Sequence, residues 1–279
     1  MFSLILGGAT TSNGDMSKEN EIARIRAEID AIDVSVHDML MRRVALAEEM
    51  AVAKDNVAAG QARMRPGREA EILRDLFARH NGPLGFPVVA RIWRELINAN
   101  LRVEGDFTVA LFSDGDATVP TKARSQYGDL TPSIECDTAA AALDLALAQR
   151  DTITVLPFSE DQTWWANLAH TEYSSLKLIA CLPFVLRDDE AITAVSVGAL
   201  EREETGEDVS LAIAECTGPN INPANVNIVG RSGDMLLVAI DDYCAEDDAR
   251  WQALLNFDGV VSVKPIGGYA KPIILGGDA

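Results

Sequence analysis

The sequence predicts a two-part chain, an all-helical N-terminal segment followed by an α/β segment. Three observations carry that reading. Ile22, Ile25, Ile29, Ile32, Val36, Met39 and Leu40 recur every three or four residues, the period of an amphipathic helix. Beyond about residue 105 the pattern changes to short apolar runs and alternations bounded by turn residues, the pattern of strands. The charge divides at the same place: residues 16–105 hold 14 Lys+Arg and 14 Asp+Glu, whereas residues 106–279 hold 10 and 28. The change falls in the stretch Val103 to Asp106.

The composition narrows the function classes. The 279 residues are 48% hydrophobic and 24% charged, as expected of a globular chain with a core, and the net charge is −19. A field of that sign argues against nucleic acid as partner. No stretch of about eighteen apolar residues occurs, so no membrane span is expected. Cys136, Cys181, Cys216 and Cys244 are scattered, with neither C-x-x-C spacing nor histidines nearby. That predicts no metal centre and no disulfide framework, and fits a reducing, cytoplasmic setting.

Residues 1–15 contain an apolar run with no positive residue before it, and read as a disordered or mis-started leader ahead of Met16. The first helix runs to about Lys54, with neither proline nor glycine from Ile22 onward. Its thirty-odd residues span roughly 50 Å, whereas a compact body of ninety residues is only about 30 Å across. The stripe therefore predicts a partner subunit. Pro66 opens a second helix, GREAEILRDLFARH, which stops at Asn81-Gly82-Pro83; a third follows Pro87. In residues 106–205, TVALFS, TITVLPF, LKLIACLPFVL and ITAVSVGAL read as strands, with AAAALDLALAQ as a helix. In residues 206–279, VSLAIAEC, a hairpin turning at Ser232-Gly233-Asp234, the helix AEDDARWQALLNF and the strand VVSVKPIG follow.

The chemistry-bearing residues lie on the three helices. Arg43 and Lys54 are eleven apart, almost three full turns, and share one face, while Arg26 is turned by about 100° from it. Arg68 and Glu69 open the second helix, and Asn100 and Glu104 are i, i+4 neighbours on the third. No activated serine or cysteine accompanies them. Periodicity and composition alone reach a helical dimerisation module with a basic face.

The stretch IARIRAEIDAIDVSVHDMLMRRVALAEEMAVAK, with RPGREAEIL and IWRELINANLRVE after it, resembles the all-helical class of chorismate mutases over about residues 20–105. The pattern is R-x-x-I-D-x-I-D, an arginine ten residues after the second aspartate, a lysine eleven further on, then R-P-x-R-E-x-E. The resemblance implies a three-helix fold in an intertwined homodimer whose long helices cross, each site borrowing one arginine from the other subunit. Arg26 would be the donated residue. Arg26, Arg43 and Lys54 would bind the two carboxylates of chorismate, and Lys54 would also donate to the breaking ether oxygen. Arg68 would support the anionic pocket and Glu69 would hold the substrate hydroxyl. Asn100 stands where the family often has serine, and Glu104 where many members have a glutamine facing the ether oxygen. Arg65 stands where some members have an acid.

The chemistry so implied, chorismate to prephenate, is a unimolecular pericyclic rearrangement that requires no nucleophile, cofactor or metal. A protein accelerates it by holding the reactive conformer and by placing donors where charge develops. Arginine forks suit planar carboxylates and a lysine suits a point charge.

The second segment is similar to the prephenate dehydratase and ACT portions that follow the mutase in bifunctional bacterial enzymes, through TGEDVSLAIAEC, NVNIVGRSGDMLLVAIDDY and VVSVKPIGGYAKPI. Pro157-Phe158-Ser159-Glu160-Asp161 stands where dehydratases carry P-I-E-N-S, the T-R-F triplet has no counterpart, and G-A-L gives way to GPNINPAN. The expectation is a catalytically silent remnant, dehydratase-like over 106–205 and ACT-like over 206–279. A chorismate mutase of aromatic amino acid biosynthesis is the reading that follows; the alternatives are a bifunctional mutase–dehydratase and a non-catalytic sensor of aromatic amino acids. Residues 16–105 alone are expected to form an active dimer. Trp164 and Trp165 read as core, His170 as surface, and the acidic runs Glu201 to Asp208 and Glu246 to Asp248 as a solvated loop and a helix N-terminus.

Overall fold

The computed structural model describes residues 13–55, 64–218, 220–224 and 226–276. The chain divides into two compact units, one ending at Val57 and the other beginning at Ala58.

The described part of the first unit is one helix, α1 (Asn13–Asp55, 43 residues), about 65 Å long. It starts before the predicted leader ends, so residues 13–15 are helical; the rest of the leader, 1–12, lies outside the described residues. The predicted stripe is intact and uncovered: Ile22, Ile25, Ile29, Ile32, Val36, Met39 and Leu46 are 43–63% exposed. Full burial of each such side chain is worth about 1.5–3 kcal/mol.

The second unit opens with α2 (Pro66–Arg79) and α3 (Phe86–Glu104), each with proline in its first turn. An α/β body follows: β1 (Thr108–Leu111), α4 (Thr118–Tyr127), β2 (Ser133–Glu135), α5 (Ala139–Ala148), β3 (Thr152–Pro157), two 3-10 turns (Trp164–Ala169 and Thr171–Tyr173), β4 (Lys177–Leu182), β5 (Val185–Arg187) and β6 (Ala194–Gly198). The chain closes with β7 (Asp208–Cys216), β8 (Asn227–Ser232), β9 (Met235–Ile240), α6 (Ala249–Leu255), β10 (Val260–Ala270) and β11 (Ile273–Leu275). Nine strands form one sheet in the order β2-β1-β3-β6-β4-β10-β7-β9-β8, and β11 pairs with β5 apart from it.

This packing runs across two of the expected boundaries. The division at 105/106 marks a change of composition, not a break in the fold. Leu73 of α2 and Phe86 and Ala90 of α3 are buried in the same core as Leu143, Trp165, Leu178 and Leu211 of the α/β body. The compact units part instead at Val57. The division at 205/206 is bridged by the sheet itself, where β10 lies between β7, antiparallel to it, and β4, parallel to it at Gly267 and Leu178. Gly267 is required there. Its φ is 103°, and a Cβ would sit 2.3 Å from the Leu178 carbonyl oxygen. Residues 206–279, expected from the sequence to be ACT-like, supply the strands in the order β10-β7-β9-β8 together with α6, and the described residues between β7 and β8 contain no helix.

Sequence reasoning passed over α4, which has Pro120 in its first turn, and the three-residue β2. The run LKLIACLPFVL, read as one strand, is two, parted at Pro183, which cannot donate to a ladder. Trp164 and Trp165 are core residues whose indoles donate to the carbonyls of Pro157 (2.6 Å) and Gln162 (2.7 Å). His170 is exposed. The acidic stretch from Glu201 is not all solvated: Asp208 is 2% exposed and lies 3.6 Å from Arg202, whose guanidinium sits 4.8 Å from the centre of the Tyr243 ring. Asp248 caps α6 by accepting from Arg250 N at 2.9 Å.

Candidate active site

The expected site residues fall into the two compact units. Arg26, Arg43 and Lys54 all belong to α1, and the helix is unbroken between them. The register deduced from spacing therefore holds, with Arg43 and Lys54 almost three turns apart. Arg26 is exposed. Arg43 is half-buried, and desolvation lowers its guanidinium from the ordinary arginine value. The Lys54 backbone lies in the last turn of α1, and its side chain lies outside the described part.

Arg65, Arg68, Glu69, Asn100 and Glu104 belong to the second unit. Arg65, just ahead of α2, grips Glu203 Oε1 with Nη2 (2.6 Å) and Nε (2.9 Å). Arg68 is exposed and donates to Glu71 Oε2 one turn on, at 2.9 Å. Glu69 points the other way. A single residue step turns a helix by about 100°, which places Glu69 among Ala70 and Leu73 on the buried face of α2. Asn100 carries a buried Oδ1 without a hydrogen-bond partner among the described residues. Glu104 ends α3, and its side chain lies outside the described part.

Glu69 is not alone. Arg94 Nη1 of α3 donates to Glu69 Oε2 at 2.7 Å, and each residue is only 6% exposed. In the amide orientation that satisfies both of its ends, Gln126 Oε1 of α4 accepts from Arg94 Nη1 and Nη2, at 2.9 and 3.3 Å. Asn98, also on α3, donates to the carbonyls of Arg94 (2.8 Å) and Gln126 (2.9 Å). Arg94 lies 5.5 Å from the centre of the Phe184 ring, and Tyr127 donates to Ser196 Oγ at 2.6 Å. Burial raises the Glu69 carboxyl above the usual carboxylate range, against the pull of Arg94, and lowers the Arg94 guanidinium from its usual value. Oε2 of Glu69 is thus occupied by Arg94, while no hydrogen bond to Oε1 is formed among the described residues.

The structure therefore brings Glu69 together with Arg94 and Gln126, two residues that sequence reasoning passed over. Arg94 had one legible signal. It stands in line with Ala90, Ile97 and Leu101 on α3, a charge set into an apolar stripe that demands a buried partner. Gln126 had none, because the helix carrying it was itself missed. Among the described residues, no group of three metal-ligating side chains assembles, and no helix is long and apolar enough to cross a membrane.

Residues 25–105 match the family of chorismate mutase type II, and this segment is a chorismate mutase type II domain. The chain is similar to the bifunctional chorismate mutase/prephenate dehydratase of Pseudomonas aeruginosa, 27% identical over 132 residues, which cover 46% of this chain and 35% of that protein. It is also similar to the protein of the same description from Stutzerimonas stutzeri, 31% identical over 98 residues, covering 34% and 27% of the two chains. The matched stretches thus span about a third of those relatives' length. Among solved structures, a prephenate dehydratase from Streptococcus mutans gives a TM-score of 0.40 at 10% identity, covering 61% of this chain and all of that one. A quorum quenching acylase, GqqA, gives 0.43 at 13% identity, covering 58% and 94%.

Proposed function

We propose that this protein is a cytoplasmic chorismate mutase of aromatic amino acid biosynthesis, active as a homodimer, whose dehydratase/ACT-like residues 106–279 have no dehydratase activity of their own. One observation carries the reading: Arg26, Arg43 and Lys54 keep the family's spacing on a single unbroken helix inside a segment that matches the mutase family over residues 25–105. In this reading Arg43, Lys54 and the partner subunit's Arg26 bind the two carboxylates of chorismate. Lys54 and Glu104 face the ether oxygen, and Arg68 supports the anionic pocket. Asn100 lies near a carboxylate, to which its Nδ2 amide donates. Glu69 accepts the substrate hydroxyl on Oε1. The rate enhancement comes from selecting the compact conformer and stabilising negative charge on the breaking bond. The exposed stripe of α1 supports the dimer, because an apolar face of that length gains only from a second helix.

The test is direct. Purified full-length chain is given chorismate, and loss of chorismate is followed together with appearance of prephenate and phenylpyruvate. The expected result is prephenate without phenylpyruvate. Failure to consume chorismate above the uncatalysed rate overturns the mutase reading.

A second reading, a bifunctional mutase–dehydratase, is favoured by the relatives. Both are described as bifunctional, and the Pseudomonas aeruginosa match, 132 residues long, is longer than the mutase segment itself. The absent P-I-E-N-S and T-R-F sequences weigh against it. Phenylpyruvate formed from prephenate in the same assay would establish it.

A further inference from the structure

The hydroxyl-binding role proposed for Glu69 leaves open what keeps a buried carboxylate ionised and aimed. Resting on the mutase reading above, we infer that Arg94 is a positioning residue for Glu69 and is itself held from the α/β body by Gln126, so that residues beyond 105 take part in the mutase reaction.

The geometry supports this link by link. A lone buried carboxylate is costly, and its usual escape is to take up a proton. Arg94 opposes that escape with a 2.7 Å ion pair to Oε2 that leaves Oε1 for a ligand. A guanidinium needs more than one acceptor when buried, and the others come from outside the helical segment. Gln126 supplies an amide oxygen and Phe184 a ring face. Asn98 then ties the α3 and α4 backbones together beside the pair. Glu69, Arg94 and Gln126 thus form one chain of partners running from the mutase family segment into the sheet domain.

A positioning role differs from mere packing in what it moves. A carboxylate that holds the substrate hydroxyl in ground and transition state alike sets KM rather than kcat. Removal of one hydrogen bond to a charged group reaches about tenfold in such a constant. Tyr127 and Cys181 stand beside Arg94; burial pushes Tyr127 upward and Cys181 to about 12, so both stay protonated through neutral pH. Glu69 is therefore the group whose titration Arg94 controls, and loss of the guanidinium raises its carboxyl further.

The experiment measures chorismate turnover by full-length wild type, Arg94→Met, Arg94→Lys, Gln126→Leu, Glu69→Gln and the Gln126→Leu/Glu69→Gln double variant, with thermal melts to verify folding. Gln126→Leu should raise KM about tenfold with kcat little changed, and should add nothing in the Glu69→Gln background. Arg94→Met should move the acid limb of kcat/KM to higher pH, and Arg94→Lys should move it most of the way back. Gln126→Leu leaves the ion pair in place, so it decides the matter where Arg94→Met does not fold. A folded Gln126→Leu with wild-type KM, or a full additional loss in the double variant, would overturn the inference. A silent wild type would overturn the mutase reading first, and this inference with it; an active wild type without the coupling would overturn the inference alone.

Discussion

Arg94 and Glu69 form a buried ion pair 2.7 Å long between α3 and α2, on the side of those helices that faces the α/β body. Buried pairs cost desolvation and are held only where further hydrogen bonds complete them. Gln126 completes this one. The pair is thus both a feature of the proposed mutase site and a joint between two segments of different composition.

Breaking the pair from one side should be expensive. Arg94→Met leaves the carboxylate uncompensated, and urea unfolding should show a loss of about 3–5 kcal/mol. Replacing both partners, as in Glu69→Leu with Arg94→Met, should recover most of it. A single-variant cost below about 1 kcal/mol would show that the pair is not buried in solution.

Truncation should do the opposite of what the sequence suggests. Residues 16–105 read as a self-sufficient dimer, yet Leu73 and Phe86, 0% and 1% exposed, belong to the core of the α/β body. Removing residues 106–279 uncovers them together with the ion pair. The truncated protein should be aggregation-prone and at least about tenfold less active, the factor set by losing the Gln126 bond alone. A soluble truncated dimer with full-length kcat/KM would contradict this.

Sharing of the proposed site is testable by complementation. Arg26→Ala and Arg43→Ala homodimers should both be nearly inactive. Their mixture should regain activity, since one of the two sites in a heterodimer recovers both arginines. Verified subunit exchange without any recovery would rule out donation of Arg26 in trans.

The pH profile tests Glu104. A glutamate donates to the ether oxygen only when protonated, whereas a glutamine donates at any pH. The rate at saturating chorismate should rise as pH falls from neutral, and Glu104→Gln should flatten the profile and be faster at about pH 7.5, well above a free glutamate's pKa. A slower Glu104→Gln enzyme would place this side chain away from the ether oxygen.

Asp248 gives a stability signature far from the site. Hydrogen bonds from Arg250 hold its carboxyl at about 2, below the ordinary aspartate value. A depressed pKa contributes stability that is complete above about pH 4 and lost as the pH falls toward 2. Asp248→Asn retains a helix cap, so its melting temperature should trail the wild type slightly at neutral pH and meet it near pH 2. A gap that stays constant across that window would show that the carboxylate charge is not what stabilises the α6 N-terminus.

Much of this protein was legible in one dimension. The long helix, its basic register at Arg26, Arg43 and Lys54, the two proline-opened helices and most strands depend on spacing, and spacing is local. What escaped depends on neighbours distant in sequence. Nothing local says that Glu69 turns inward while Arg68 remains in solvent, because both fit a helix start; only the body packed against α2 distinguishes them. Arg94 looked like one more basic residue on an amphipathic helix, and its partner lies 25 residues away on another element. Gln126 sits on a helix whose early proline hid it. Composition placed a boundary at residue 105, while the fold parts at Val57, because the apolar faces of α2 and α3 are buried against the sheet domain rather than left to the segment that encodes them. Periodicity determines which face of a helix is apolar; only tertiary structure decides what that face is buried against, and with it which charges must find partners.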